Sequence, residues 1–435
     1  MTRLLALALI LSGCQATRIA DADPPVGQIV TPAEESGYTR TSTYLEVVDL
    51  LERLEAVSAL EVGSFGTSVE GRELPLVVIG ADAATPEAVL EAGKTRVLVF
   101  ANIHAGEVAG KDAMLEMLRD VAASAHSHWS DSLVVMIAPI YNADGNERME
   151  LDNRSRQDGP VEGMGQRPNA QDLDLNRDFM KVASPEARAL VGLIRDADPH
   201  VVVDLHTTNG THMGYHLTYA PGLSPNTPLV LDADLRERWL PAITDSLLAH
   251  DDFATYHYGN VPGAFGEEAT APRGWYSFSA QPRFSTNYAG LRGRYAILSE
   301  AYSYATFQER VAVSRRFTEE ILDRAWAEAS RISRTVLEVD QSSAVGMEIA
   351  LRSTWAALDE PVEILLGDVD TLQHPVTGSD VFRRRDAVRT EVMPAFVRFE
   401  AVESVVAPLA YVVTGAAIEP VREILDVHGI SHRLG

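Results

Sequence analysis

Between residues 44 and 333 the chain alternates short, nearly continuous apolar runs with longer amphipathic stretches. Residues 44–59 carry Leu45, Val48, Leu51 and Leu54 at helical spacing, so one face of a helix is predicted there. Residues 74–79 and 96–103 read as buried strands, and the second runs straight into His104. A helix follows over 107–123, with Met114, Met117, Leu118 and Val121 as its stripe, and then a strand over 133–140. Ser184-Pro185-Glu186 has the signature of a helix start: a capping hydroxyl, proline at the first position and an acid in the first turn. That helix ends near Asp198-Pro199, and a strand over 201–205 leads into His206. A helix over 306–333 closes the series.

Strands alternating with helices predict an α/β fold, a mixed and largely parallel sheet with helices on both faces. Ligands of such sheets lie beyond the carboxyl ends of the strands, where His104 and His206 both fall. The expected organisation is a catalytic unit over 41–335 and a small α/β accessory domain over 336–435. The latter rests on strand-like runs at 362–366, 397–399 and 410–413 and a last helix near 419–427. Residues 15–40 lack periodicity and carry breakers, and are expected to form a tether. A chain of 435 residues is long enough for one large core and a smaller one.

The N-terminus adds an address. Arg3, the apolar run 4–11 and Leu11-Ser-Gly-Cys14 form a signal peptide too short to span ~30 Å of hydrocarbon. Its ending resembles the bacterial lipobox, which implies that Cys14 is lipidated and that the protein is held at the cell envelope. That anchor is its expected link to a membrane. Cys14 is the only cysteine, so intramolecular disulfides, thiolate metal sites and cysteine nucleophiles are excluded. A formal charge of −25 disfavours a nucleic-acid partner, whose phosphates would be repelled.

A metal must therefore be held by His, Asp or Glu. His104-Ala-Gly-Glu107 sits at a strand-to-helix junction, where two ligands three residues apart can converge and Gly106 allows a tight turn. His206, at the end of another strand, offers a third donor. Two histidines, one glutamate and an open fourth position suit a catalytic zinc site. His212 and His216 follow a loop marked by Asn209-Gly210 and are not expected to ligate, nor are His126, His128, His250 and His257.

These residues belong to an ordered set: Gly66-Thr-Ser-Val-Glu-Gly-Arg72, His104-x-x-Glu107, Pro139-Ile-Tyr-Asn-Ala-Asp-Gly145, Asp174-Leu-Asn-Arg177, His206 and Ser299-Glu300. The set resembles the zinc carboxypeptidases of the carboxypeptidase A superfamily over about 240 residues. The resemblance implies one zinc ion on His104, Glu107 and His206, with Asp174 accepting a hydrogen bond from His104. It implies that Asn176 and Arg177 grip the terminal carboxylate of a peptide substrate and that Glu300 is the general base. Glu309 and the Glu267-Glu268 pair are rival carboxylates at unmatched places. Arg154 best matches the arginine that polarises the scissile carbonyl, with Arg156 as competitor. Tyr288, rather than Tyr276, is the expected tyrosine closing on substrate.

One departure bears on the reaction. Asp178 follows Arg177, and a carboxylate there would weaken the grip on a C-terminal anion. It keeps a zinc-dependent deacylase or amidase acting on small N-acyl substrates in view, beside a catalytically inactive binding lipoprotein. The expected activity is that of a metallocarboxypeptidase.

Overall fold

The computed structural model describes residues 26–266 and 270–433, so the signal peptide, Cys14 and the Glu267-Glu268 pair lie outside the described residues. Strands β1 (Glu61–Thr67), β2 (Glu73–Ile79), β3 (Thr95–Ala101), β4 (Leu133–Ala138), β5 (Val201–Thr208), β6 (Leu217–Pro221) and β7 (Thr255–His257) come first. The short β8 (Trp275–Tyr276) and then β9 (Tyr295–Tyr302) follow. Eight of them form one sheet in the order β1-β2-β4-β3-β5-β9-β6-β7. Its centre, β4-β3-β5-β9, is parallel; β1 and β2 pair antiparallel to their neighbours, and β6 pairs antiparallel with β9 and parallel with β7.

The central strands are apolar on both faces because both faces are covered. Val97, Val99 and Ala101 of β3 pack with the helices Ala109–Ala122 and Phe307–Ala327, while Leu98 and Phe100 face the Pro185–Ala197 helix. The Pro185–Ala197 helix starts as the sequence predicts, with the Ser184 side chain accepting from Ala187 N, and ends at Asp198 in a left-handed conformation. Helix Tyr44–Val57 forms behind a Thr43–Glu46 capping box. Its buried face is Val47, Leu50, Leu51 and Leu54, one position round from the predicted face, and Leu45 is 72% exposed. Such a helix is marginal alone, and burying those four side chains contributes roughly 6–12 kcal/mol as an upper estimate.

Three other expectations are corrected. The described part of the expected tether is packed: Thr31-Pro-Ala-Glu34 is a capping box, and Ile29, Thr31 and Ala33 are buried. Arg119 holds Glu34 and the Tyr38 hydroxyl donates to Glu116, so the apparent breakers are cap residues. The long last helix is broken at Glu328 into Phe307–Ala327 and Ala329–Asp340. Residues 410–413 are exposed and irregular instead of a strand.

The C-terminal strands are β10 (Glu348–Ala356), β11 (Val362–Gln373), β12 (Asp380–Met393), β13 (Ala395–Phe396) and β14 (Arg398–Val406). They make two antiparallel ribbons, β10–β14 and β11–β12, and β13 pairs with β8. Ile364, Leu366, Met393 and Ala395 share a cluster with Met213, Tyr215, Trp275 and Tyr302, so the ribbons lean on the α/β body. The helix Ile418–Val427 lies against the Pro185–Ala197 helix, where Arg188 pairs with Glu423 and Arg195 donates to the carbonyls of Asp426 and Val427. No helix among the described residues is long and apolar enough to cross a membrane.

Candidate metal centre and active site

Three carboxyl ends meet at one cavity. His104 follows β3, His206 lies near the end of β5, and Glu300 lies near the end of β9. The β5–β9 register sets His206 directly beside Glu300, so both point to one face of the sheet. The cavity, about 240 Å³, is lined by His104, Glu107, His206 and Glu300, by Arg154, Arg167, Asn176 and Arg177, and by an aromatic wall that includes Tyr258, Phe278 and Phe284.

His104, Glu107 and His206 are all buried and each offers a donor atom, all within 4.8 Å of one another. Glu107 stands between the rings, Oε1 at 3.0 Å from His104 Nδ1 and Oε2 at 2.9 Å from His206 Nδ1. Tetrahedral donors around zinc, each about 2.0–2.1 Å from the ion, lie about 3.3 Å apart, so the set fits with small side-chain shifts. The opposite ring nitrogens face carboxylates. His104 Nε2 lies 3.0 Å from Asp174 Oδ1, and His206 Nε2 lies 2.8 Å from Asp204 Oδ2. A carboxylate only accepts, so each Nε2 carries the N–H and each Nδ1 turns its lone pair to the centre, the arrangement that orients metal-binding histidines. Asp204 was not expected from sequence. Its place two residues before His206 on a strand, hence on the same face, was the available signal. Ser285 Oγ donates to the same Asp204 oxygen.

The charges follow from these contacts. Burial alone would raise Glu107, but its contacts with His104 and Arg154 hold it well below the usual carboxylate range. Burial opposes charge on His206, yet Asp204 and Glu107 outweigh it and raise its pKa. Asp174 is held low against burial by His104, Arg167 and Arg177. Burial, with Glu107 adding and His206 opposing, pushes Glu300 up to about 8. A carboxyl in that state exchanges protons near neutral pH.

Arg154 and Arg156 part company. Arg154 enters the cavity, donating to Glu107 Oε1 and to the Thr207 carbonyl, both at 3.0 Å. Arg156, with a positive φ of 68°, turns away onto the Phe382 ring. Gly106 has no positive φ; a Cβ there would lie 2.7 Å from Arg154 Cγ and from the Gly165 carbonyl. The glycine therefore makes room for Arg154 instead of for a turn. Arg167 was missed by sequence reasoning, although it lies seven residues before Asp174. It forks onto Asp174 Oδ2 at 2.8 and 3.0 Å, and its side chain is 41% exposed against 13% for Arg154.

Asn176 lies beside His206, and its Oδ1 accepts from Ser285 N at 2.9 Å. Arg177 stacks over Phe284 at 4.1 Å, with its side chain partly open to the cavity. Tyr288 is corrected: it is buried behind the site, its hydroxyl 2.9 Å from His428 Nδ1 and its ring against Phe179. The tyrosine in the cavity is Tyr258, whose phenol burial pushes up, with Glu300 adding. Asp178 is corrected too, because it faces away from the cavity and accepts from Ala183 N, Ser184 N and Ser184 Oγ at the head of a helix. Glu309, a rival base, is the capping partner of Thr306. His212 packs against Tyr304 and Phe382.

Residues 47–230 match the family model described as zinc carboxypeptidase. The segment holds His104, Glu107, Asp174, Asn176, Arg177 and His206, and Glu300 lies beyond it. The chain is similar to carboxypeptidase 2 of Trichophyton rubrum, 29% identical over 175 residues that cover 39% of this chain and 29% of that protein. It is similar to carboxypeptidase D of Mus musculus, 30% identical over 187 residues that cover 35% of this chain and 13% of that protein. The match thus spans less than a third of these relatives' lengths. A solved metallo-carboxypeptidase from Burkholderia cenocepacia aligns with a TM-score of 0.46 at 18% identity, over 65% of this chain and 69% of that one.

Proposed function

We propose that this protein is a zinc-dependent metallocarboxypeptidase that hydrolyses the peptide bond next to a free C-terminal carboxylate. The observation that carries the reading is one cavity holding three metal donors, a carboxyl raised to about 8 and a stacked guanidinium. Bound by His104, Glu107 and His206, one zinc ion supplies Lewis acidity and lets water act as a nucleophile at neutral pH. Glu300 takes a proton from the attacking water and passes it to the leaving amine. Arg177, pre-set on Phe284, offers its fork to the terminal carboxylate, with Asn176 beside it. Arg167, the more open of the two remaining guanidiniums, is placed to meet the carbonyl oxygen as charge develops on it. Tyr258 closes the aromatic side of the cavity.

Asp178 is tied to a helix start and does not compete with the substrate anion for Arg177, whose carboxylate neighbour is Asp174 at 3.9 Å. This favours the exopeptidase reading over a deacylase or amidase. The test compares peptides that differ only in a free or amidated C-terminus, at known zinc content. Rapid cleavage of the free peptide and little of the amide are expected; equal rates would overturn the reading. The Leu11-Ser-Gly-Cys14 run supports an envelope-anchored form, checked by labelled fatty-acid incorporation that is lost in Cys14→Ser.

A further inference from the structure

The β11–β12 hairpin does more than cover the body. On one side of it, Gly367 N donates to the His212 carbonyl and Gly214 N donates to the Leu365 carbonyl. On the other, Phe382 N donates to the Arg156 carbonyl at 2.9 Å, Arg384 N donates to the Tyr304 carbonyl at 2.7 Å, and Arg383 forks onto Asp158 at 2.6 and 3.1 Å. The hairpin therefore fastens three segments: the loop after β5, the loop after β9, and residues 156–158. The third leads back to Arg154, whose guanidinium holds Glu107 Oε1.

Beyond the hairpin, buried Arg310 donates to the Asp158 and Gly159 carbonyls at the far end of that loop, and Gln157 Nε2 reaches Met164 Sδ. Asn153 donates to the Arg148 and Met164 carbonyls, and Asp158 N donates to the Ser303 carbonyl. Arg156 sits in a left-handed conformation that a non-glycine residue adopts reluctantly, and it is held by the Phe382 backbone bond and by its stack on the Phe382 ring. The Arg154 stem passes over Gly106 through a gap that any Cβ would close. A small shift of residues 156–158 is thus carried to the Arg154 head group, and from there to a metal-binding carboxylate.

We propose that the β11–β12 hairpin sets zinc affinity by bracing Arg154, with Arg383 and Asp158 as positioning residues that act on Glu107 through it. The inference rests on the metallocarboxypeptidase reading only in taking His104, Glu107 and His206 as the zinc ligands. It gives the C-terminal ribbons a role at the metal centre, although none of their residues lines the cavity.

The test is zinc affinity of the full-length metal-free protein, measured by competition with a coloured chelator, with thermal midpoints alongside. Arg154→Ala is expected to weaken zinc about 10–100-fold, as loss of a partner to a metal ligand does. Arg383→Ala and Asp158→Asn are each expected to weaken it roughly twofold to fivefold, the range of one ion pair, and Arg383→Lys to recover part of that. In the Arg154→Ala background, Arg383→Ala is expected to add less than about twofold, because the relay is already cut. Arg385→Ala breaks the Arg385–Asp370 pair on the same hairpin without touching residues 154–158, and is expected to leave affinity unchanged. Additive losses in the double variant, or equal losses in Arg385→Ala and Arg383→Ala, would overturn the proposal. A wild-type protein without zinc affinity would overturn the ligand reading beneath it as well.

Discussion

The candidate site has a strand-borne half and a loop-borne half, and the two are held by different forces. His206, Asp204 and Glu300 sit on adjacent parallel strands, where backbone pairing sets His206 beside Glu300 and side-chain alternation puts Asp204 on the same face. Arg154, Arg167, Asn176 and Arg177 sit in the irregular stretch between β4 and the Pro185–Ala197 helix. No ladder fixes them; Arg154 is held by Glu107, Arg167 by Asp174, Arg177 by Phe284 and Asn176 by the backbone N–H of Ser285. The strand half is determined by register. The loop half is determined by a network that closes only when every member is present.

The largest effect that sharpens this contrast is expected at Glu300, the proposed base on β9. Glu300→Gln keeps the shape of the side chain and removes its proton chemistry. Peptide hydrolysis is expected to fall by roughly 10²–10⁴-fold with zinc content unchanged. Retained activity would move the base elsewhere in the cavity.

The two carboxylates behind the histidines allow a direct comparison. Asp204 is buried and shared with Ser285, whereas Asp174 is partly exposed and shared with Arg167. Each change to alanine is expected to weaken zinc about 10–100-fold in chelator competition. The Asp204→Ala loss should be the larger, because nothing from solvent can replace a partner at a closed strand position. A larger loss at Asp174 would break the contrast between the halves. Smaller still is Arg177→Lys, which removes the fork and the stack while keeping the charge. It is expected to raise KM for free-carboxylate peptides roughly tenfold with kcat nearly kept, and to leave amidated peptides unaffected.

What could be read from the sequence divides along the same line. The central strands, the helices that cover them and the convergence of His104, Glu107 and His206 follow from apolar runs whose ends are marked. Strand periodicity also held the information for Asp204. The loop residues were not legible in that way: Arg154 and Arg156 are two positions apart in an aperiodic run, and only the positive φ of Arg156 and its Phe382 stack show which one turns inward. Arg167 and Tyr258 were missed because their directions depend on partners distant in the chain. Tyr288 was misplaced for the same reason: the C-terminal helix that ends beside His428 takes up its hydroxyl. The expected tether failed on composition, since Thr31-Pro-Ala-Glu serves as a helix cap as readily as a linker.

The smallest predicted effect lies at the opposite end of the same strands, and it separates sheet stability from site chemistry. His200 joins the amino ends of β3, β5 and β9. Its N–H donates to the Arg96 carbonyl at 2.8 Å, its Nδ1 accepts from Arg96 N at 2.9 Å, and its carbonyl accepts from Tyr295 N at 3.0 Å. Protonation of Nδ1 would remove an acceptor and put a cation into a buried place near Arg96 and Arg294. Burial first, and Arg96 second, accordingly lower its pKa to about 4. An unfolded chain takes up that proton near pH 6.5, so between about 6.5 and 4 it binds more protons than the folded protein. The stability from a neutral His200 is complete above pH 6.5 and is lost as the pH falls toward 4. Between pH 7 and 5 the loss is roughly 2 kcal/mol. His216 and His257, also held low by burial, act in the same direction, and Glu116, raised to about 7, acts against them. The contribution of His200 is therefore read as a difference. His200→Asn supplies an acceptor oxygen near the place of Nδ1 but cannot titrate, so its unfolding free energy should fall less from pH 7 to pH 5 by about that amount. Its zinc affinity at pH 7 should match wild type, because the far end of the sheet holds the strands and not the ligands. Parallel pH profiles for the two proteins would remove His200 from the account, and a zinc defect at pH 7 would show that the two ends of the sheet are coupled.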